Sequence, residues 1–189
     1  MDENLKSTLE KDEKILFKGK PESFETLDKA NKQPFIITTV LTVLVCLALI
    51  LTYTINTLAI ENFKILVPFV IAAIGALIIS STFRDSRKIR KLEYVITNKR
   101  LMRLGDEISS MPFPAIKQYI FKLDEEGRTS LLIGEDAITK KTSKWRSAAV
   151  SSFAKDLNTG ECEQAVFYAI PDRFRKIFTE QISIQEGHI

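Results

Sequence analysis

Residues 34–60 read PFIITTVLTVLVCLALILTYTINTLAI and residues 65–83 read ILVPFVIAAIGALIISSTF, and neither stretch holds a charged side chain. A helix needs about 20 apolar residues to cross a ~30 Å hydrocarbon core. Residues 35–53 and 65–83 each meet that length, so the sequence predicts two membrane spans. A signal peptide is not expected, because 33 mostly polar, highly charged residues come first. The short connection carries only Glu61 and Lys64 as charges, so the two helices are expected to form an antiparallel hairpin.

Direction follows from the flanks. Arg84, Arg87, Lys88, Arg90 and Lys91 follow the second block, and Lys29 and Lys32 precede the first. Basic residues are retained on the cytoplasmic side. The expectation is a multi-pass protein of the cell membrane, the inner membrane where there are two, with both termini cytoplasmic. Phe35, Tyr53, Phe63 and Phe83 stand at interfacial positions, and Pro68 falls in the first turn of the second span. Small residues recur at spacing four, as Thr38, Thr42 and Cys46 and as Ala72, Ala76 and Ser80. They suit close packing within the hairpin, and formation of a homo-oligomer is the alternative. Neither span carries an ionisable residue, which disfavours a channel or pump.

The whole chain has 189 residues, 45% apolar and 27% charged, with a net charge of +3. That charge does not suggest a nucleic-acid binder. Two cysteines, Cys46 and Cys162, lie in unlike surroundings, so no disulfide is expected and the polar part belongs in a reducing compartment. The single histidine, His188, is next to the last residue and reads as a solvated tail. No phosphate-binding glycine loop, Cys/His metal cluster or nucleophile motif is seen, so no cofactor and no catalysis are expected.

Beyond the basic run the pattern turns to strands. Residues 92–97, 100–104, 107–111, 116–123, 129–134 and 165–170 are strand candidates, and Ile15, Leu16 and Phe17 form one more before the helices. Asn98-Lys99 reads as a tight turn, on the tolerance of Asn for the left-handed region. Residues 124–127 form a loop, with Asp124, Glu125 and Glu126 read as solvated. Residues 136–164 are polar and irregular, with a short helix expected over 147–157 that sets Val150, Phe153, Ala154 and Leu157 on one side. Pro171-Asp172 opens a helix whose Phe174, Ile177, Phe178 and Ile182 share a face. Antiparallel strands with tight turns and one closing helix suggest a small barrel or sandwich.

Glu13-Lys14-Ile15-Leu16 with Gly19-Lys20-Pro21, two spans, and then Tyr94-Val95-Ile96-Thr97-Asn98-Lys99-Arg100-Leu101 together resemble a membrane-anchored bacterial pleckstrin-homology (PH) domain protein. Met111-Pro112, Ile116 and Phe167-x-x-Ile170-x-Asp172 are similar to that pattern as well. The resemblance implies an α+β membrane protein: a two-helix transmembrane hairpin inserted after the first strand of a small split barrel, capped by a C-terminal helix. Residues 1–33 then carry the first strand, 34–83 the hairpin, and 84–189 the rest of the cytoplasmic domain. The lipid site of eukaryotic PH domains lies in the connection that the hairpin here occupies, so it does not carry over.

Two basic clusters are candidates for contact with anionic lipid headgroups or with another membrane protein. One is Arg84, Arg87, Lys88, Arg90 and Lys91, which also sets topology. The other is Lys140, Lys141, Lys144 and Arg146 around Trp145, the single tryptophan, read either as a membrane or partner interface or as a core residue in a long loop. Tyr94, Thr97, Asn98 and Arg100 of the motif are expected to be structural. The function expected is a binding or scaffold module at the cytoplasmic membrane face, and the alternative is a structural or sensor subunit of a larger membrane complex.

Overall fold

The computed structural model describes residues 8–58, 63–151, 153–155 and 162–186. The protein is mixed α+β. Its chain divides into two compact units, one from the residues up to Phe24 together with those from Arg87 onward, the other Glu25–Ser86.

The second unit is helical. Helix α1 is Lys29–Leu58 and helix α2 is Leu66–Lys91. Helix α1 begins ahead of the apolar block because Asp28 caps it: its Oδ1 accepts the Asn31 backbone N–H at 3.1 Å and the Asn31 side-chain amide at 2.6 Å. Pro34 is therefore inside the helix and does not mark its start. Helix α2 runs past Phe83 through the basic run, since Lys88, Arg90 and Lys91 in its last turn complement the helix dipole. The two helices are antiparallel neighbours. Phe35 meets Phe83 edge-on at 5.4 Å, Cys46 Sγ lies 3.7 Å from the Ile71 carbonyl, and the Tyr53 hydroxyl accepts the Lys64 backbone N–H at 2.9 Å. A Cβ added to Gly75 would fall 2.8 Å from Cys46 Sγ, so glycine there permits the close approach.

Helix α1 is long and apolar enough to cross a membrane by length and composition, and none of its residues is buried. Helix α2 meets the same measure only as a pair, Leu66–Ser81 and Phe83–Lys91, bent by 42°. At the bend, Ser80 and Ser81 donate to the Leu77 and Ile78 carbonyls at 2.9 and 2.8 Å, a back-bonding that bends helices.

The other unit holds two antiparallel four-stranded sheets. The first has the order β1 (Ile15–Gly19), β2 (Glu93–Thr97), β3 (Arg100–Leu104), β4 (Ile108–Pro112). The second has the order β5 (Tyr119–Leu123), β6 (Thr129–Ile133), β8 (Cys162–Phe167), β7 (Ala154–Lys155). Strand β1 pairs with β2 across the whole helical insertion, with Phe17 opposite Ile96 and Gly19 opposite Tyr94.

Among the described residues no ladder joins the two sheets, so of the barrel and the sandwich left open by the sequence, a closed barrel is not formed. Between β4 and β5 the chain turns through a 3-10 turn, Phe113–Ala115, started by Pro112 and Pro114, which delays β5 to Tyr119. Tyr94, Ile96 and Leu101 face the main core, while Val95, Met102 and Leu104 form a smaller cluster with Leu9 on the opposite face. That alternation is the period of two read in the sequence.

The expected helix over 147–157 is displaced. The chain forms α3 (Glu135–Thr139) and α4 (Thr142–Val150) instead, and Ala154–Lys155 is a strand. Leu157 lies outside the described residues. Helix α5 (Asp172–Glu186) packs on β1, β2 and the 3-10 turn. Its Phe174 is enclosed by Phe17, Tyr94, Phe167 and Phe178, at 5.5, 5.9, 5.6 and 6.4 Å between ring centres.

Candidate functional site

The β2–β3 motif is built around Glu13. Arg100 donates from Nε and Nη2 to the two Glu13 carboxylate oxygens at 2.9 and 2.8 Å, and Thr97 Oγ1 donates to Glu13 Oε1 at 2.7 Å. Burial pushes the Glu13 carboxyl up. The bonds from Arg100, the Glu10 backbone N–H and Thr97, with the Arg100 charge, outweigh that and hold it down at about 2. Asn98 Oδ1 accepts the Lys14 backbone N–H at 2.8 Å, and its own backbone N–H donates to the Lys14 carbonyl at 3.1 Å. Asn98 does not take the left-handed conformation expected of it; Asp12, at φ 66°, does. Asn98 instead serves as a two-way clasp on the segment leading into β1. Tyr94 is fully enclosed, and its hydroxyl donates to the Tyr168 carbonyl at 2.9 Å. All four motif residues thus hold the fold together.

The expected solvated loop at 124–127 holds for Glu125 and Glu126, which are exposed, but not for Asp124. Asp124 is buried, its Oδ1 accepts the Glu126 and Arg128 backbone N–H groups, and its Oδ2 takes the Arg128 Nε bond at 2.7 Å. Arg146 lies over the Phe24 ring at 4.6 Å and donates to the Tyr168 hydroxyl at 3.3 Å. Arg90 lies over the same ring at 5.4 Å and donates to the Phe24 carbonyl at 3.0 Å. These guanidiniums pin Phe24, the last residue before the helical unit, to the body of the β unit.

The two basic clusters fare differently. Arg84, Arg87, Lys88, Arg90 and Lys91 are all exposed. Arg84, Arg87, Lys88 and Lys91 fall at i, i+3, i+4 and i+7 of α2, so they share one helix face. In the second cluster Lys141 and Lys144 are exposed and Lys140 is half-buried, but Trp145 and Arg146 are only 2% and 3% exposed. Those two are removed from the contact surface expected of the cluster. The indole N–H donates to the Lys140 carbonyl at 3.1 Å, which satisfies its one polar atom inside the core.

A cleft of about 400 Å³ opens beside the end of α2. Lys88 and Lys91 line one side, Gly105, Asp106 and Glu107 of the β3–β4 turn another, and Ser147 and Ser151 near the end of α4 a third. Arg103 forms part of its wall, lies 4.7 Å over the Phe153 ring, and donates to the carbonyls of Ala149 and Ser151. It closes the C-terminus of α4, where a cation complements the dipole. Burial lowers the Arg103 pKa to about 10, against the nearby Tyr94. The sequence reading passed over Arg103; its signal is a cation in phase with Leu101 on a strand otherwise apolar on that face. Lys88 pairs with Asp106 at 3.6 Å, and both are well exposed.

Among the described residues no group of three or more His, Cys, Asp or Glu could hold a metal ion. His188 lies outside them. The chain matches no family model, no curated protein and no solved structure.

Proposed function

We propose that the protein is a membrane-anchored, PH-like binding module, held at the cytoplasmic face of the cell membrane by a helical hairpin that crosses twice. The observation that carries this reading is the pairing of β1 with β2. The chain leaves the sheet at Gly19 and rejoins the neighbouring strand at Glu93. Strands that share a ladder lie on one side of a bilayer, so the number of crossings between them is even. Helix α1 is free of charged side chains from Pro34 onward and has no buried residue, unlike a core helix of a soluble domain. If it crosses, α2 must return. A cleaved signal sequence fits less well, because cleavage after α1 would cut β1 from the chain it is paired with.

The PH-like assignment draws on two antiparallel sheets, a C-terminal helix packed on the first of them, and the clasped β2–β3 turn. Binding without catalysis draws on how the charged side chains of the β unit are used. Glu13, Arg100, Asp124, Arg128 and Arg103 are committed to internal bonds, while Arg87, Lys88, Arg90 and Lys91 are exposed together at the end of α2. That collection beside a cleft suits anionic headgroups or an acidic partner surface, with attraction on the order of 1 kcal/mol per basic residue near a charged membrane.

The topology is tested in a background with Cys46 and Cys162 changed to Ser. Cysteine introduced at Asn62 is expected to react with an impermeant thiol reagent in intact cells, and cysteine introduced at Ser109 only after lysis. Labelling at Ser109 in intact cells, with Asn62 protected, overturns the orientation. Labelling of both overturns the hairpin.

A further inference from the structure

Helix α4 has a second cleft on its other flank. Lys144, Ser147, Ala148 and Ser151 follow one another at i, i+3, i+4 and i+7 and form one stripe of the helix and its C-cap. Small residues at three of these positions fail to fill the space against β8. The result is a cavity of about 340 Å³ floored by Phe153, Ala165 and Val166. Its size is that of a small-molecule cleft.

Among the described residues the charge at the mouth has one sign: Lys140 and Lys144 line the cleft, and none of these lining residues is acidic. The Asp136 carboxylate accepts the Gln164 side-chain amide at 2.8 Å, while the Lys140 ammonium donates to the Asp136 backbone carbonyl at 3.3 Å. The cleft beside α2 differs, since Asp106 and Glu107 there offset Lys88 and Lys91. An apolar floor beneath two cations is complementary to an anion with an apolar body.

We propose that this cleft binds a small amphipathic anion, an aliphatic carboxylate or its phospholipid equivalent, with the chain over Phe153 and Ala165 and the charge between Lys140 and Lys144. The proposal does not depend on the membrane reading. It also accounts for the split in the second basic cluster: Trp145 and Arg146 face the core, and Lys140 and Lys144 face the cleft.

Trp145 supplies the readout, because its indole N–H is bonded to the Lys140 carbonyl and the chain has one tryptophan. The full chain in dodecyl maltoside micelles is titrated with octanoate and, separately, with the neutral octanamide, while Trp145 emission is followed. Octanoate is expected to give a saturable change, with octanamide at least about tenfold weaker, since a hydrogen bond to a charged group is worth about that factor. Lys140→Gln and Lys144→Gln are each expected to weaken octanoate by about tenfold, and Ala148→Leu, which fills the cleft, to abolish the change. Thermal unfolding of the three variants verifies that each is folded. Phosphatidylglycerol added to the micelles competes with octanoate if the anion comes from the bilayer, and leaves the titration unchanged if it is a free carboxylate. Equal titration by octanoate and octanamide, lysine variants that titrate like the parent, or no saturable change overturns the proposal.

Discussion

Phe174 and Leu51 are both large apolar side chains, yet Phe174 is wholly enclosed and Leu51 is 61% exposed. The contrast holds across the two units. In the β unit most large apolar residues are buried, Leu123 and Ile184 being exceptions, and most of the close aromatic pairs meet edge to face. In the helical unit Leu41, Ile55 and Leu58 point outward, and the contacts between helices are made by Cys46, Gly75, Phe35 and Phe83. On the membrane reading proposed above, equal apolarity leads to opposite burial because the solvent differs. In water, burial of apolar area drives folding; in lipid it does not, and close packing does.

The sharpest way to break this comparison is to truncate one residue of each kind. Phe174→Ala removes a ring in contact with four others and is expected to cost about 3–5 kcal/mol. If α1 crosses the bilayer as proposed, its Leu51 side chain faces hydrocarbon in either state, and Leu51→Ala is expected to cost less than about 0.5 kcal/mol. Chemical denaturation of the protein in bilayers, read by Trp145 emission, measures the first. A comparable loss for Leu51→Ala would mean that the outer face of α1 is covered by protein.

Next in size is the Glu13–Arg100 pair of the β unit. Its stabilisation requires the ionised carboxylate. The folded carboxyl titrates at about 2, below the ordinary range, so the contribution is complete above pH 5 and lost as pH falls through the ordinary value toward 2. Glu13→Gln is expected to cost about 2–3 kcal/mol at pH 7 and to remove most of the acid dependence between pH 5 and 2. Unfolding midpoints measured over that range give the answer. A parental slope retained in Glu13→Gln would assign it to other carboxylates.

How far the sequence revealed this architecture depends on how local each cause is. The two apolar blocks, the alternation of Tyr94, Val95 and Ile96, and the Phe174–Phe178–Ile182 face are local periodicities, and they were legible. The failures are non-local. The start of α1 depends on the Asp28 cap, and the 3-10 turn after Pro112 separates sheets that turn residues alone would have joined in a barrel. Trp145 among four cations could be read as surface or core, and only α4, with Arg146 stacked on the distant Phe24, decides it. Of the site residues, Lys88 and Lys91 could be named from their position after an apolar block. Arg103 was legible only as a cation on an apolar strand face; its role was not, because its partners, the carbonyls of Ala149 and Ser151, are far away in sequence.

A smaller effect sharpens the packing side of the comparison. Gly75→Ala puts a methyl group 2.8 Å from Cys46 Sγ and is expected to cost about 1–2 kcal/mol of hairpin stability. Cys46→Ala alone should cost little, and the double variant should recover most of the loss. Steric trapping or thermal aggregation in micelles reads the non-additivity, which is a property of residues in contact. Additive losses would separate Gly75 from Cys46 and return the helix contact to the aromatic ends alone.

The smallest effect is expected at the exposed pair Lys88–Asp106. Both side chains keep much of their hydration at 3.6 Å, so their attraction is screened and barely exceeds the entropy cost of holding two mobile groups together. Asp106→Ala is expected to change stability by less than about 0.5 kcal/mol. Its effect on binding has the opposite sign from that of Lys88→Ala. Removing the carboxylate leaves Lys88 and Lys91 less neutralised, so partition of the soluble β unit, joined across the hairpin by a short linker, onto phosphatidylglycerol vesicles should rise. Lys88→Ala should lower it, and both differences should shrink between 0.05 and 0.5 M salt as the field is screened within a few ångströms. Sedimentation with anionic and neutral vesicles measures the two together. Equal partition of both variants, at low salt and on anionic vesicles, would detach the end of α2 from lipid recognition and leave its cations to orientation in the membrane.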